Sequence, residues 1–286
     1  MKLKMPTLSE ATNLVYKRRY NGEDSATNFL IAMKYNIKAI GNLQVNKITK
    51  QHIKKLMDYH RFTRKNSKQV TNTKVGYLKT VLDEMIEDGF IKDVSFPRRL
   101  KEKKQKVHYL TADMEDDLLK YLIQNDYYEA FDIVSCLIDL GCRVNELLNL
   151  EKRFVDFDNN QINFNDRKND NAVAVPMTDR VQVKIRRYYK GIYKGQEVKD
   201  FDKLFSLNYS ELNAIWQKAR KDLGYADKKF YTLHLCRHTC ASRLVQRGCQ
   251  LLLVKDWLGH EDIKTTMIYA HLAPKALHSI VGVLND

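Results

Sequence analysis

Between Lys74 and Glu87 the apolar residues Val75, Leu78, Val81, Leu82, Met85 and Ile86 recur at spacings of three and four. That periodicity predicts a helix with one buried stripe, stopped at Gly89. Ahead of it, Ile53, Leu56 and Met57 share a helical face behind Thr49, a residue suited to capping. Leu14, Tyr20, Phe29 and Met33 fit two earlier helices, over roughly 7–20 and 24–36. The pattern then breaks. Pro97 to Lys106 holds six basic residues in ten and one clearly apolar residue, Leu100. Such a stretch reads as an interdomain linker able to track a nucleic-acid backbone.

A second block starts at Thr111, which can cap a helix whose first turns hold Asp113, Glu115, Asp116 and Asp117. Leu118, Leu119, Leu122 and Ile123 follow at helical spacing, and residues 128–140 read as a buried helix ending at Gly141. The period then changes to two. Val155, Phe157, Ile162, Phe164, Val173 and Val175 alternate with polar residues, and turn residues stand at Asp158-Asn159-Asn160 and Asn169-Asp170-Asn171. This predicts a small three-stranded antiparallel sheet. Residues 178–190 and 209–222 return to helical period, and the segment from Thr232 onward reads as three or four helices broken by Gly248, Gly259 and Pro274. The expected class is mainly α with a small antiparallel sheet. The domains are 1–96, a linker 97–106, and 107–286 with a tail from 273.

Composition adds limits. The 286 residues are 44% hydrophobic and 29% charged with a mean hydropathy of -0.50, and hold no run near 18 apolar residues. No membrane span is expected. The N-terminus shows no apolar signal segment. Five cysteines form no Cys-x-x-Cys pair, which fits a reducing, cytoplasmic compartment.

Charge changes the picture more. The net charge is +14, and all of it lies in residues 1–106, with 24 Lys/Arg against 10 Asp/Glu; residues 107–286 balance at 25 and 25. Such asymmetry points to a polyanionic partner, nucleic acid before membrane. Basic residues interleave with aromatics at Lys17, Arg18 and Arg19, and again at Arg61, Arg64 and Lys65. Within the linker, Arg98, Arg99, Lys101, Lys103 and Lys104 complete the expected DNA-binding set.

Four local patterns carry candidate chemistry. Arg143 follows a buried helix at a turn, with Glu146 three residues on; Lys168 sits in the expected hairpin. His234, Cys236, Arg237, His238 and Cys240 lie in one run, and Leu258-Gly259-His260 precedes Tyr269 by nine residues from His260. The alternating histidines and cysteines suggest zinc at first sight. On a helix, however, i and i+2 point to nearly opposite sides, so the four cannot converge, although His234 and His238 share a face. Taken singly, each pattern suits an ordinary surface or core role. As a set, Arg143, Lys168, His234, Arg237, His260 and Tyr269 supply two guanidiniums, an ammonium, two imidazoles and a phenol. That set suits metal-free phosphoryl transfer: arginines grip equatorial oxygens, a lysine hands a proton to a departing oxygen, and cationic neighbours activate a phenol.

Residues 107–286 resemble the catalytic domain of the tyrosine recombinase (phage integrase, Xer-like) family. The motifs are GCRVNELLNL, KNDNAVAVP, HLCRHTCASRL, LGH and TTMIYAHL. Residues 1–95 resemble that family's helical, SAM-like core-binding domain more loosely. The resemblance implies a site-specific DNA recombinase in which Tyr269 attacks a phosphodiester and forms a 3′-phosphotyrosyl bond. Arg143 and Arg237 would clamp the non-bridging oxygens, and Lys168 would protonate the 5′ oxygen. His234 would assist proton transfer, His260 would donate to the phosphate, and Glu146 would orient the Arg143 or His234 region rather than react. It implies no cofactor, metal or ATP. The implied partners are double-stranded DNA with paired half-sites, a homotetramer on two sites formed from free monomers, and accessory DNA-bending proteins. By the same analogy the tail would dock on a neighbouring protomer. Two other readings stay open: a topoisomerase of type IB, and a catalytically silent DNA-binding regulator on the same scaffold.

Overall fold

A computed structural model describes residues 4–23, 25–102, 106–165, 172–191, 195 and 198–274. The chain divides into two compact units, Met1–Gln105 and Lys106–Asp286. Among the described residues no helix is long and apolar enough to cross a membrane.

The first unit is built from α1 (Leu8–Val15), α2 (Ala26–Ile40), α3 (Lys50–Asp58) and α4 (Lys68–Glu87). Thr7 and Glu10 form a reciprocal cap on α1, and Ser67 accepts from the Val70 amide to start α4. The core holds Leu8, Val15, Phe29, Met33, Ile53, Leu56, Leu78, Leu82 and Met85. The apolar stripe of α4 is as expected, but the helix starts six residues earlier, at Lys68. Its first turns bury Thr71 and Asn72 rather than apolar side chains, so the hydrophobic period does not register them. Thr71 donates to the Ser67 carbonyl. Asn72 bonds the Leu100 backbone through both its amide groups and also donates to Glu102. The front of the stretch read as a linker is therefore fastened to the first unit. Two single turns of wider π-type helix, Tyr16–Tyr20 and Tyr59–Thr63, end α1 and α3.

The second unit begins with α5 (Ala112–Gln124), capped by Thr111 accepting from the Met114 amide. The apolar helix α6 (Tyr128–Leu140) runs through the core and packs against α5, α8 (Asp179–Tyr189) and α10 (Leu235–Gln246). Gly141, at φ 63°, ends α6 in the left-handed region that favours glycine. A short helix, α7 (Val144–Leu148), follows. The sheet is antiparallel in the order β1 (Val155–Asp156), β2 (Gln161–Asn165), β3 (Ala172–Pro176). Ile162 pairs with Val175 and Phe164 with Val173, which turns Ile162, Phe164 and Val175 inward. Phe157 lies past β1 in the turn, edge-on to Tyr189. Helix α9 (Tyr209–Asp222) buries Trp216, whose indole donates to the Tyr231 carbonyl. The chain then forms α10, α11 (Leu251–Leu258), α12 (Ile263–Thr266) and a 3₁₀ segment, Met267–Leu272, that carries Tyr269.

Candidate active site

Arg237, on α10, is 4% exposed. Its two terminal nitrogens donate to backbone carbonyls that end two other helices, Gly141 after α6 at 2.8 Å and Leu258 of α11 at 2.7 Å. Each of those helix ends leaves carbonyls without intrahelical partners, and a buried guanidinium satisfies both. Burial lowers the Arg237 pKa, as does the nearby charge of Arg143, while Glu146 opposes the shift. Arg143 stands at the entrance to α7, half exposed. Glu146 holds it twice, accepting from its backbone amide at 2.7 Å and from its guanidinium at 2.6 Å.

Tyr269 is 2% exposed, and its hydroxyl lies 2.6 Å from Nδ1 of His238. Burial pushes the phenol up to about 12 against the opposing pull of the Arg237 charge. The His238 ring meets the ring of His234 edge-on, with centroids 4.8 Å apart. His238 is held down at about 4 by burial, then by His234, Arg237 and His108. His234 has an exposed edge, but the protein packed around its ring, then Arg237 and Arg143, keep it below the ordinary histidine range. His260 follows the left-handed Gly259 and shares a hydrogen bond of 2.8 Å with the Thr266 hydroxyl. Burial, then Arg237 and Arg143, hold it at about 4. Burial and the neighbouring arginines thus disfavour a proton on all three imidazoles, and the fixed positive charge comes from the arginines.

Five of the six expected residues, Arg143, His234, Arg237, His260 and Tyr269, therefore belong to one electrostatically coupled group. Lys168 lies outside the described residues, as does the tail from 275. His238 was missed. The signal for it was its place four residues after His234, on the same helical face, one residue beyond Arg237.

The basic set of the first unit divides. Lys17, Lys65, Arg98, Arg99 and Lys101 are exposed. Arg18 is paired with Asp88 at 2.8 Å and Glu84 at 3.3 Å, and Arg19 with Glu84. Arg61 donates to the Asn66 carbonyl, and Arg64 stacks over the Tyr35 ring at 4.1 Å. Lys103 and Lys104 lie outside the described residues.

A family model described as the phage integrase family matches residues 108–276, more than half of the chain. The chain belongs to the phage integrase family. Its match to the tyrosine recombinase XerA of Saccharolobus solfataricus is 37% identical over 140 residues, 49% of this chain and 45% of that protein. The chain thus spans under half the length of that relative. A tyrosine recombinase of Pseudothermotoga lettingae is 27% identical over 262 residues, 90% of this chain and 86% of that protein. In fold, the chain is similar to the Tn1549 transposon integrase solved in complex with transposon right end DNA. The TM-score is 0.81 at 18% identity, covering 98% of this chain and 100% of that one. Lambda integrase bound to a core site shares the fold at a TM-score of 0.70 and 17% identity, covering 92% and 77%.

Proposed function

We propose that this member of the phage integrase family is a site-specific DNA recombinase that cuts and rejoins strands through a 3′-phosphotyrosyl bond on Tyr269. One observation carries the reading: a buried tyrosine hydroxyl is held 2.6 Å from His238, on the helix that also carries the buried Arg237 anchored to two helix ends. A phosphodiester entering that group brings a negative charge that becomes two on its equatorial oxygens at the transition state. Arg143, anchored by Glu146, and Arg237, anchored by two helix ends, then act as donors whose geometry is fixed beforehand. His260 donates to a non-bridging oxygen, His234 assists proton transfer, and Lys168 protonates the 5′ oxygen as it departs. The phosphotyrosyl bond keeps the energy of the phosphodiester. A 5′-hydroxyl of another strand then religates without ATP, and the donor set asks for no metal. Two such exchanges between paired half-sites, on a tetramer of this chain, would integrate, excise or resolve a DNA element. The tyrosine recombinases the chain resembles, and the DNA bound in the two integrase structures, support DNA as the substrate. The exposed lysines and arginines of the first unit suit the phosphate backbone.

Covalent capture tests this. Wild type and Tyr269→Phe are mixed with a fragment library that includes the DNA flanking the gene, denatured in SDS, and the attached DNA is sequenced. Wild type is expected to retain one family of sequences with inverted half-sites and Tyr269→Phe none. Relaxation of any supercoiled plasmid without a preferred site would make the chain a topoisomerase. DNA binding without capture by either protein would make it a silent binder.

A further inference from the structure

We infer that His238 receives the phenolic proton of Tyr269 as that oxygen attacks phosphorus. The inference rests on the strand-transfer reading above and gives the nucleophile a specific base beside the general assistance that reading assigns to His234.

The Tyr269 hydroxyl must lose its proton when the new bond forms, and at 2% exposure the residue has little access to bulk water. In the structure the hydroxyl already lies 2.6 Å from Nδ1 of His238, which accepts from it when the ring carries its proton on Nε2. This is the distance of a strong hydrogen bond. His238 is itself held in place: it lies on α10 beside the buried Arg237, and its ring rests against His234. The groups facing it are His234 and Arg237 from α10, His108 from the segment before α5, and Tyr269 from the 3₁₀ segment, with His260 coupled to the same group. Burial first, then the neighbouring imidazoles and the charge of Arg237, disfavour a second proton on the ring. A neutral imidazole carrying its proton on Nε2 leaves the Nδ1 lone pair aimed at the phenol. His234, the expected proton carrier, contacts the His238 ring, whereas His238 contacts the hydroxyl.

A weak base suffices here. The phenol starts as a feeble acid, but once bonded to phosphorus the same oxygen is far more acidic than any imidazolium. A base of intermediate strength takes the proton while the bond is forming. In the forward step the Tyr269 Oη–P bond forms and the P–O5′ bond breaks. The phenolic proton passes to His238 Nδ1, and the 5′ oxygen takes a proton from Lys168. Religation reverses each transfer, so both residues return to their starting states.

The test is single-turnover cleavage of duplex DNA carrying the captured site, with wild type, His238→Phe, His238→Asn, Lys168→Ala and Tyr269→Phe. Each is run on ordinary DNA and on DNA with a 5′-bridging phosphorothiolate. Asparagine keeps an acceptor near the Nδ1 position but takes no proton, so it separates holding the phenol from deprotonating it. Both His238 variants are expected to cleave roughly 10²-fold more slowly at pH 7. Their rates should climb about tenfold per pH unit toward pH 9.5 and close on wild type, as hydroxide replaces the missing base. The phosphorothiolate, whose sulfur leaves without a proton, should rescue Lys168→Ala and neither His238 variant. A His238→Asn enzyme as fast as wild type would reduce His238 to a positioning residue and overturn the inference. So would variants that keep the wild-type pH profile or are rescued by sulfur. Thermal midpoints and DNA affinity of each variant separate these outcomes from misfolding. Wild type that binds DNA but never forms a covalent product would overturn the strand-transfer reading instead.

Discussion

Gly141 offers a sharp test of how tightly the site is built. Its φ of +63° lies where an L side chain costs roughly 1–2 kcal/mol. A methyl group placed on it would meet Leu258 Cδ2 at 2.8 Å, Cys240 Sγ at 2.9 Å and Cys240 Cβ at 3.1 Å. Neither neighbour is the free end of a long side chain. Leu258 closes α11, Cys240 lies within α10, and both are buried. Overpacking a filled site of this kind costs about 1–3 kcal/mol. Gly141→Ala is therefore expected to destabilise the Lys106–Asp286 unit by about 2–5 kcal/mol. For a unit of this size that is a fall in Tm of roughly 5–15 °C. Because the Gly141 carbonyl is a partner of Arg237, cleavage should also fall below what the lost stability explains at a temperature where the variant is folded. Calorimetry on Gly141→Ala, Cys240→Ala and the double variant checks the cause. Removing the sulfur relieves one of the crowded contacts, so the double variant should be more stable than the sum of the singles by about 1 kcal/mol. A Tm within 2 °C of wild type for Gly141→Ala would refute the crowding, and strict additivity would clear Cys240.

Other expectations follow from separate features. Arg143→Ala should lower cleavage by on the order of 10²-fold or more while leaving DNA affinity nearly unchanged; equal losses in the two assays would make Arg143 an ordinary phosphate contact. Asp132 and Lys184 form a buried pair with Tyr188 donating to the same carboxylate at 3.2 Å. Asp132→Ala, which strands the ammonium, should cost about 3–5 kcal/mol in urea unfolding, and adding Lys184→Met should recover much of it; no recovery would show that the loss is one of packing. His60 is fully buried, 2.8 Å from Asn36 Oδ1, with the Asn66 amide on its other nitrogen. Burial, then Lys74 and Arg64, lower it from 6.5 to about 4. The unfolded ring binds a proton over that interval and the folded ring does not, so this stability is complete above about pH 6.5 and is lost as pH falls toward 4. The urea midpoint of the first unit should fall between pH 7 and 4.5 in wild type and change less in His60→Gln; equal changes would place the acid sensitivity elsewhere.

Much of this architecture was legible in the chain because apolar period and capping chemistry are local signals. Thr111 with its acidic first turn, the stop at Gly141 and the alternation through Ile162, Phe164, Val173 and Val175 each report one element without help from the rest. The start of α4 was hidden because the residues it buries there, Thr71 and Asn72, are polar, and Asn72 is satisfied by Leu100, a partner that becomes a neighbour only in the fold. The π-type turns at Tyr16–Tyr20 and Tyr59–Thr63 were hidden because one extra residue per turn leaves no mark in composition. At the site, the spacing of His234, Arg237, His260 and Tyr269 was enough to group them. The part played by His238 was not visible, because it depends on where a segment thirty residues downstream sets a single oxygen.

The two carbonyls gripped by Arg237 come from residues 141 and 258, 96 and 21 positions from it along the chain and at the ends of two different helices. Until all three segments have met, that guanidinium has no fixed direction, and Tyr269 has no ordered surroundings. For a chain proposed to break DNA, the cutting group would then be assembled only as the second unit folds. A nascent or partly melted molecule would hold every reactive group without the arrangement proposed to use them.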